Sequence, residues 1–116
     1  MAIKNRTQPP VEFIQALAET GLDDIHLLRR QTAERVLTEQ RELLLKEIQN
    51  GDVKSVRDLA RRVDRNVSVV SRDLDVLFEA DIVEFERDGR AKKPRLAHDT
   101  VLVEPLVFKG EVRSRD

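Results

Sequence analysis

Six positions in one short stretch carry groups suited to reading a polyanion: Arg65, Asn66, Ser68, Val69, Ser71 and Arg72. A guanidinium such as that of Arg72 can bond guanine O6 and N7 together. Ser68 and Ser71 are short donors suited to groove contacts, and an exposed Val69 can meet a thymine methyl. Each also has a plainer role open to it. For Arg72 this is a phosphate contact or an i,i+3 pair with Asp75, for the serines a solvated helix face, and for Val69 a scattered surface position. Farther along, Arg87, Arg90, Lys92, Lys93 and Arg95 set five cations close together. Such a cluster suits phosphate or the minor groove, although Glu84, Glu86 and Asp88 partly neutralise it.

Other chemistries find little support. The chain has no Cys, which removes disulfides, thiolate metal sites and Cys nucleophiles together. Its two histidines, His26 and His98, are far apart in sequence and show no ligand spacing, so neither a metal site nor a cofactor is expected. The carboxylate pairs Asp23-Asp24 and Asp73/Asp75 have simpler roles in capping and solvation. No nucleophile–base pair and no Gly-rich phosphate loop is visible, so the chain reads as a non-enzyme. Aromatic residues are 3%, with no Trp and no Tyr, which disfavours a base-stacking platform.

The basic groups need elements to position them. Ser55 can cap a short helix in which Val56, Leu59, Ala60 and Val63 form one apolar stripe. Asp64-Arg65-Asn66 follows as a tight turn, since Asp and Asn tolerate left-handed backbone. Asn66 can cap a second helix that points Val67, Val70, Leu74, Leu77 and Phe78 to one side, with Ser68, Val69, Ser71, Arg72 and Asp75 opposite. The period then changes. Ile82 to Arg87 reads as a strand, Asp88-Gly89 as a hairpin turn and Pro94 to Ala97 as the partner strand. Two short helices across a tight turn, followed by a charged hairpin, make a winged helix-turn-helix. Its second helix would enter the major groove while the hairpin reaches backbone or minor groove.

Upstream, residues 1–10 with Pro9-Pro10 read as a flexible tail. Val11, Ile14, Leu17 and Ala18 predict a helix ending at Gly21. Asp23 and Asp24 suit the start of a further helical stretch opened by Ile25 and Leu28, which either breaks near Thr38 or runs through. Thr38 can cap Glu39 to Asn50, which buries Leu44 and Ile48. Downstream, Val101 to Phe108 is β-rich, and Pro105 demotes it to an edge strand or bent segment. The final eight residues read as frayed. The expected organisation is therefore a tail (1–10), an N-terminal helical segment (11–36), a winged helix-turn-helix domain (37–100), and a C-terminal strand and tail (101–116). The fold class is α+β and mainly helical.

The stretch Leu37 to Phe108, about two-thirds of the chain, resembles the winged helix-turn-helix regulators common in archaea. These are MarR-like in fold, and some are described as antitoxin-like. The resemblance is carried by LTEQRELLLKEI, SVRDLARRVDRNVSVVSRDLDVL and DIVEFERDGRAKKPRL. Its most specific part is Leu59-Ala60-x-x-Val63 with Val70-x-Arg72-Asp73-Leu74-x-x-Leu77. It implies double-stranded DNA binding as a homodimer, with Ser68, Val69 and Arg72 on the groove-facing side. Asp64 departs from the pattern, in which Gly usually occupies the turn. Residues 1–36 carry no such resemblance.

The 116 residues suit one domain, and 40% apolar against 37% charged residues can bury a core while staying soluble. The net charge of −1 hides an uneven distribution: residues 54–95 hold 11 Lys/Arg against 9 Asp/Glu. No apolar run approaches a membrane span and the N-terminus has no signal-peptide core, which points to a cytoplasmic protein without membrane contact. Apolar residues in Val11–Val36 and Val101–Phe108 exceed what a winged helix needs, and a dimer interface would use them. The function that follows is a sequence-specific transcription regulator. Two alternatives stay open: a winged helix used for protein contacts, with a toxin or the transcription machinery as partner, and a plasmid or viral DNA maintenance protein.

Overall fold

The computed structural model describes residues 11–105. The expectations for the tail 1–10, for Leu106 to Phe108 and for the final eight residues lie outside the described residues, as do those for the side chains of Val11 and Ile14. The order of elements is α1 (Val11–Glu19), β1 (Ile25–Leu28), α2 (Arg30–Val36), α3 (Glu39–Asn50), α4 (Val56–Arg62), α5 (Val67–Glu79), β2 (Val83–Asp88), β3 (Ala91–Leu96) and β4 (Thr100–Val103). The fold is α+β, a winged helix-turn-helix.

Helix starts follow from capping. Thr38 accepts from the Arg41 amide and separates α2 from α3; Glu39 and Glu42 add charge that suits the first turn. Ser55 accepts from the Asp58 amide at 2.9 Å, and Asp58 reaches back to accept from the Lys54 amide at 2.9 Å. The amide of Lys54, aided by the neighbouring Arg62 and Arg61, holds the Asp58 carboxyl below the usual carboxylate range. Asn66 caps α5 by accepting from the Ser68 amide at 2.8 Å.

Two helices end in the same way. The Arg65 amide donates to the Ala60 carbonyl and the Asp64 amide to Arg61, with Asp64 at φ 57°. After α5, Ile82 donates to Leu77 and Asp81 to Phe78, with Asp81 at φ 64°. Both are Schellman closures with Asp in the left-handed position that Gly ordinarily takes. The turn between α4 and α5 is thus the tight one expected.

Leu44, Leu59, Val70, Leu74, Leu77, Ile82 and Val83 are fully buried where α3, α4, α5 and the β2–β3 hairpin meet. Ala60, also buried, lets α4 and α5 approach closely. The stripe assigned to α5 needs two corrections. Val67 is 38% and Phe78 51% exposed. Val67 is the first residue of the helix, beyond the α4 crossing. Phe78 lies off the Val70–Leu74–Leu77 line and its ring is tilted 36° against that of Phe85, centroids 5.6 Å apart.

The hairpin runs Val83–Asp88 against Ala91–Leu96, antiparallel, with Phe85 opposite Pro94 and Arg87 opposite Lys92. The partner strand begins three residues earlier than expected. The connecting residues are Gly89-Arg90, with Gly89 at φ 65° as a two-residue turn of the II′ pattern requires at its first position. Pro94 is accommodated because a two-stranded ribbon has a free edge on each strand.

The helical expectation for Ile25 to Leu28 is wrong. These residues form β1, which pairs in parallel with β4, Ile25 opposite Thr100 through Leu28 opposite Val103. Ile25 and Leu28 have helical spacing, yet a four-residue apolar run fits either period. Thr100–Val103 supplies a ladder, and Asp24 at φ 46° interrupts a helix at its start. The pair is clamped at its far end, where Glu104 donates its amide to Leu28 at 2.7 Å and accepts from the Arg30 amide at 3.0 Å. β4 is short and at a sheet edge, in keeping with Pro105.

Candidate nucleic-acid interface

The first turns of α5 present Ser68, Val69 and Arg72 to solvent, Val69 being 39% exposed. Val69 therefore sits uncovered on a polar face, as its spacing implied. Ser71 is half-buried. The Ser68 hydroxyl donates to Asn66 Oδ1 at 2.6 Å, so Ser68 and Asn66 are committed to the cap as well as lying at its surface.

Arg65 is placed otherwise. Its side chain is 20% exposed and Nη2 donates to Asp73 Oδ2 at 2.9 Å. The other oxygen of Asp73 accepts from Arg41 Nε at 3.1 Å, and Arg41 Nη1 donates to the Val36 carbonyl. Asp73 thereby joins α3, the helix-turn-helix turn and α5 through one carboxylate, all three side chains being four-fifths or more covered. Arg62 is similarly occupied, donating to the carbonyls of Gly51 and Asp52 and pairing with Asp58 and Glu47. Arg61 pairs with Asp58 while staying open to solvent. Among Arg61, Arg62, Arg65 and Arg72, Arg72 is the one on the exposed face of α5.

The five cations of the hairpin also separate by face. Strand alternation puts Arg87 and Lys92 on the side of Val83, Phe85, Pro94 and Leu96, beyond the end of the apolar contact. Lys92 Nζ lies 4.3 Å over the Phe85 ring, which orients the ammonium. Lys93 and Arg95 lie on the other face, opposite Glu86 and Glu84, and Arg95 approaches both glutamates at 3.4 Å. Arg90 stands in the turn. Glu84 and Glu86 therefore offset the face of Lys93 and Arg95, while Asp88 closes β2 beside Arg90 at the tip.

Arg57 was missed in the sequence. Arg57, Val67, Arg90 and Lys92 line one shallow groove of about 430 Å³ together with Ser55, Val56 and Ala91. This groove brings the N-terminal ends of α4 and α5 beside the hairpin tip. The signal available was position: Arg57 opens the helix preceding the turn, and such a helix crosses the DNA backbone in helix-turn-helix complexes.

A second cluster corrects the picture of isolated histidines. His26 and His98 stack with centroids 4.7 Å apart. His98 Nδ1 lies 3.1 Å from Asp24 Oδ1 and Nε2 3.4 Å from Asp81 Oδ2. Hydrogen bonding to Asp24 raises the His98 pKa above its ordinary value, and the same bond lowers that of Asp24. Strand pairing of β1 with β4 makes this cluster, so no sequence spacing announces it.

Helix α4, a tight turn, an exposed-faced α5 and a basic two-stranded hairpin define a winged helix-turn-helix protein. The chain belongs to the HVO_A0114 family, whose model matches residues 36–103. A similar solved structure is the homodimeric winged helix-turn-helix DNA-binding domain of a possible ArsR-family transcriptional regulator from Mycobacterium bovis. It is 17% identical, with a TM-score of 0.54 over 81% of this chain and 78% of that one. Among curated proteins, no sequence matches this chain. Among the described residues, no helix is long and apolar enough to cross a membrane.

Proposed function

We propose that this protein is a sequence-specific, double-stranded DNA-binding transcription regulator of the MarR-like kind, acting as a homodimer. The observation that carries this reading is the convergence of the α5 N-terminus, Arg57 and the hairpin tip on one groove. In it α5 enters the major groove. Arg72 reads a base edge, Val69 meets a methyl, and Ser68 and Ser71 lie beside them. Arg57, Arg87, Arg90 and Lys92 hold phosphates on either side, with Lys93 and Arg95 at the margin. Arg65 and Asn66 keep the helix in place from behind. The unit that does this is the segment 37–100.

The dimer rests on a different observation. Leu22, Leu43 and Val103 are each more than a third exposed and belong to none of the DNA-facing elements. The solved relative is described as homodimeric, and a two-fold protein suits a two-fold operator.

The test is selection of bound sequences from a random duplex pool, followed by binding of wild type and Arg72→Ala to the selected site and to random duplex. A defined motif is expected. Arg72→Ala should lose on the order of 1–3 kcal/mol at the selected site and relax preference at one base pair. Equal weakening on both duplexes would make Arg72 a phosphate contact. No effect on either would remove this helix face from the DNA surface.

A further inference from the structure

Strands β1 and β4 make a parallel sheet of two strands. Parallel sheets ordinarily have more strands, and two strands alone are marginal. The Thr100 amide bonds the Asp24 carbonyl and the Glu104 amide the Leu28 carbonyl. The backbones of Asp24 and Leu28, and of His26 between them, thus turn toward β4. By alternation Ile25 and Leu27 turn their amides and carbonyls outward, where no backbone partner meets them among the described residues. The outer edge of β4 is guarded. Pro105 lacks an amide donor there, and Asp99 and Glu104 flank the strand with like charge, which antiparallel pairing with a copy would bring together. The β1 edge has no such guard. It reads Asp23-Asp24-Ile25-His26-Leu27-Leu28-Arg29-Arg30, acidic at one end and basic at the other.

Resting on the homodimer reading above, we propose that a second copy of this chain adds to the outer edge of β1, antiparallel across the two-fold axis, in one sheet of order β4–β1–β1–β4. Such an axis stands perpendicular to the sheet and keeps every side chain on its own face. Opposed residues therefore differ by an even number of positions. Two central registers satisfy this. Centring on Leu27 sets Ile25 against Arg29 and calls on Asp24 and Arg30, which are already engaged with His98 and Glu34. Centring on His26 sets Ile25 against Leu27 and Asp23 against Arg29. In this register half-buried Ile25 and Leu27 exchange both backbone bonds. Exposed Asp23 and Arg29 pair twice, once on each side of the axis. The His26 ring stays with its own protomer, held by the Ala80 carbonyl at 3.1 Å and by stacking on His98. Leu22, 37% exposed, is carried to the rim of the same interface.

The test is sedimentation equilibrium of the whole chain and of four variants. Arg29→Glu and Asp23→Arg each turn two attractions into two repulsions, and each should weaken the dimer about tenfold or more. The double variant Asp23→Arg/Arg29→Glu restores opposite charges in the same register and should recover wild-type association. An equimolar mixture of the two single variants should form a heterodimer more tightly than either forms its own dimer. Leu27→Pro removes an outward amide that no bond of the fold uses, so it should unfold as a single folded domain does yet sediment as a monomer. The charge variants lie at exposed positions and keep the test decisive where Leu27→Pro does not fold. A wild-type monomer would overturn the homodimer reading and this interface together. A wild-type dimer whose affinity is unchanged in Arg29→Glu and Asp23→Arg, or in folded Leu27→Pro, would keep the homodimer and overturn the β1 edge as its interface.

Discussion

Asp73 carries two arginines on one carboxylate, and replacing it with Asn should damage the fold more than any exposed change. Its oxygens accept from Arg41 at 3.1 Å and Arg65 at 2.9 Å. The three side chains are only 15–20% exposed, so water compensates little for a missing partner. A hydrogen bond to a charged group contributes about 1.5–3 kcal/mol. Asn keeps one acceptor oxygen but removes the charge facing both guanidinium groups. The net loss is about 2–4 kcal/mol, allowing for the desolvation that the native pair already bears. Urea unfolding of wild type, Asp73→Asn, Arg65→Gln and the double variant measures this directly. The cycle should return a coupling of about 1–3 kcal/mol. At a temperature where it remains folded, Arg65→Gln should bind DNA with unchanged salt dependence. A loss below about 0.5 kcal/mol for Asp73→Asn, or additive single variants, would refute the network. A salt slope reduced by about 0.9 in Arg65→Gln would return Arg65 to the phosphate contacts.

Asp64→Gly should raise stability by about 1 kcal/mol, read by thermal unfolding, because Gly adopts φ 57° without the Cβ strain. Val70→Ala should cost roughly 1–3 kcal/mol through burial and a small cavity, whereas Val69→Ala on the exposed face should stay within about 0.5 kcal/mol. Asn66→Ala should cost about 1 kcal/mol by removing the cap. Asp58, whose folded pKa is depressed by the Lys54 amide, stabilises the fold above its unfolded value of about 3.9. That stabilisation is lost as pH falls through the lower folded value, so Asp58→Asn should flatten this limb of the urea midpoint against pH.

The sequence made the central elements legible because each has a local cause. Ser55, Asn66 and Thr38 cap the helices they were expected to cap. Asp64 is in the left-handed turn, and Val70, Leu74 and Leu77 form the buried line of α5. What escaped was set by distant partners. Ile25 to Leu28 is a strand because Thr100–Val103 lies beside it, and a four-residue run cannot reveal that. Arg65 reads as a free cation until α3 and α5 bring Arg41 and Asp73 to it. The hairpin cations read as one cluster until strand register sorts them by face, and Arg57 joins them only across the groove. His26 and His98 meet through the same strand pairing that the local pattern concealed.

The proposed interface is tested most directly by the salt dependence of binding to a duplex fragment, measured for wild type and for a variant with Arg57, Arg90 and Lys92 all changed to Ala. These three line the groove at the hairpin tip and are exposed, Lys92 alone touching the core's margin through its ammonium over the Phe85 ring. Removing one phosphate-neutralising cation should reduce the slope of log affinity against log salt by about 0.9, so the triple variant should fall short of wild type by about 2.7 while unfolding at the wild-type temperature. An unchanged slope in a folded variant, or no duplex binding by the wild type at low salt, would contradict the proposed interface.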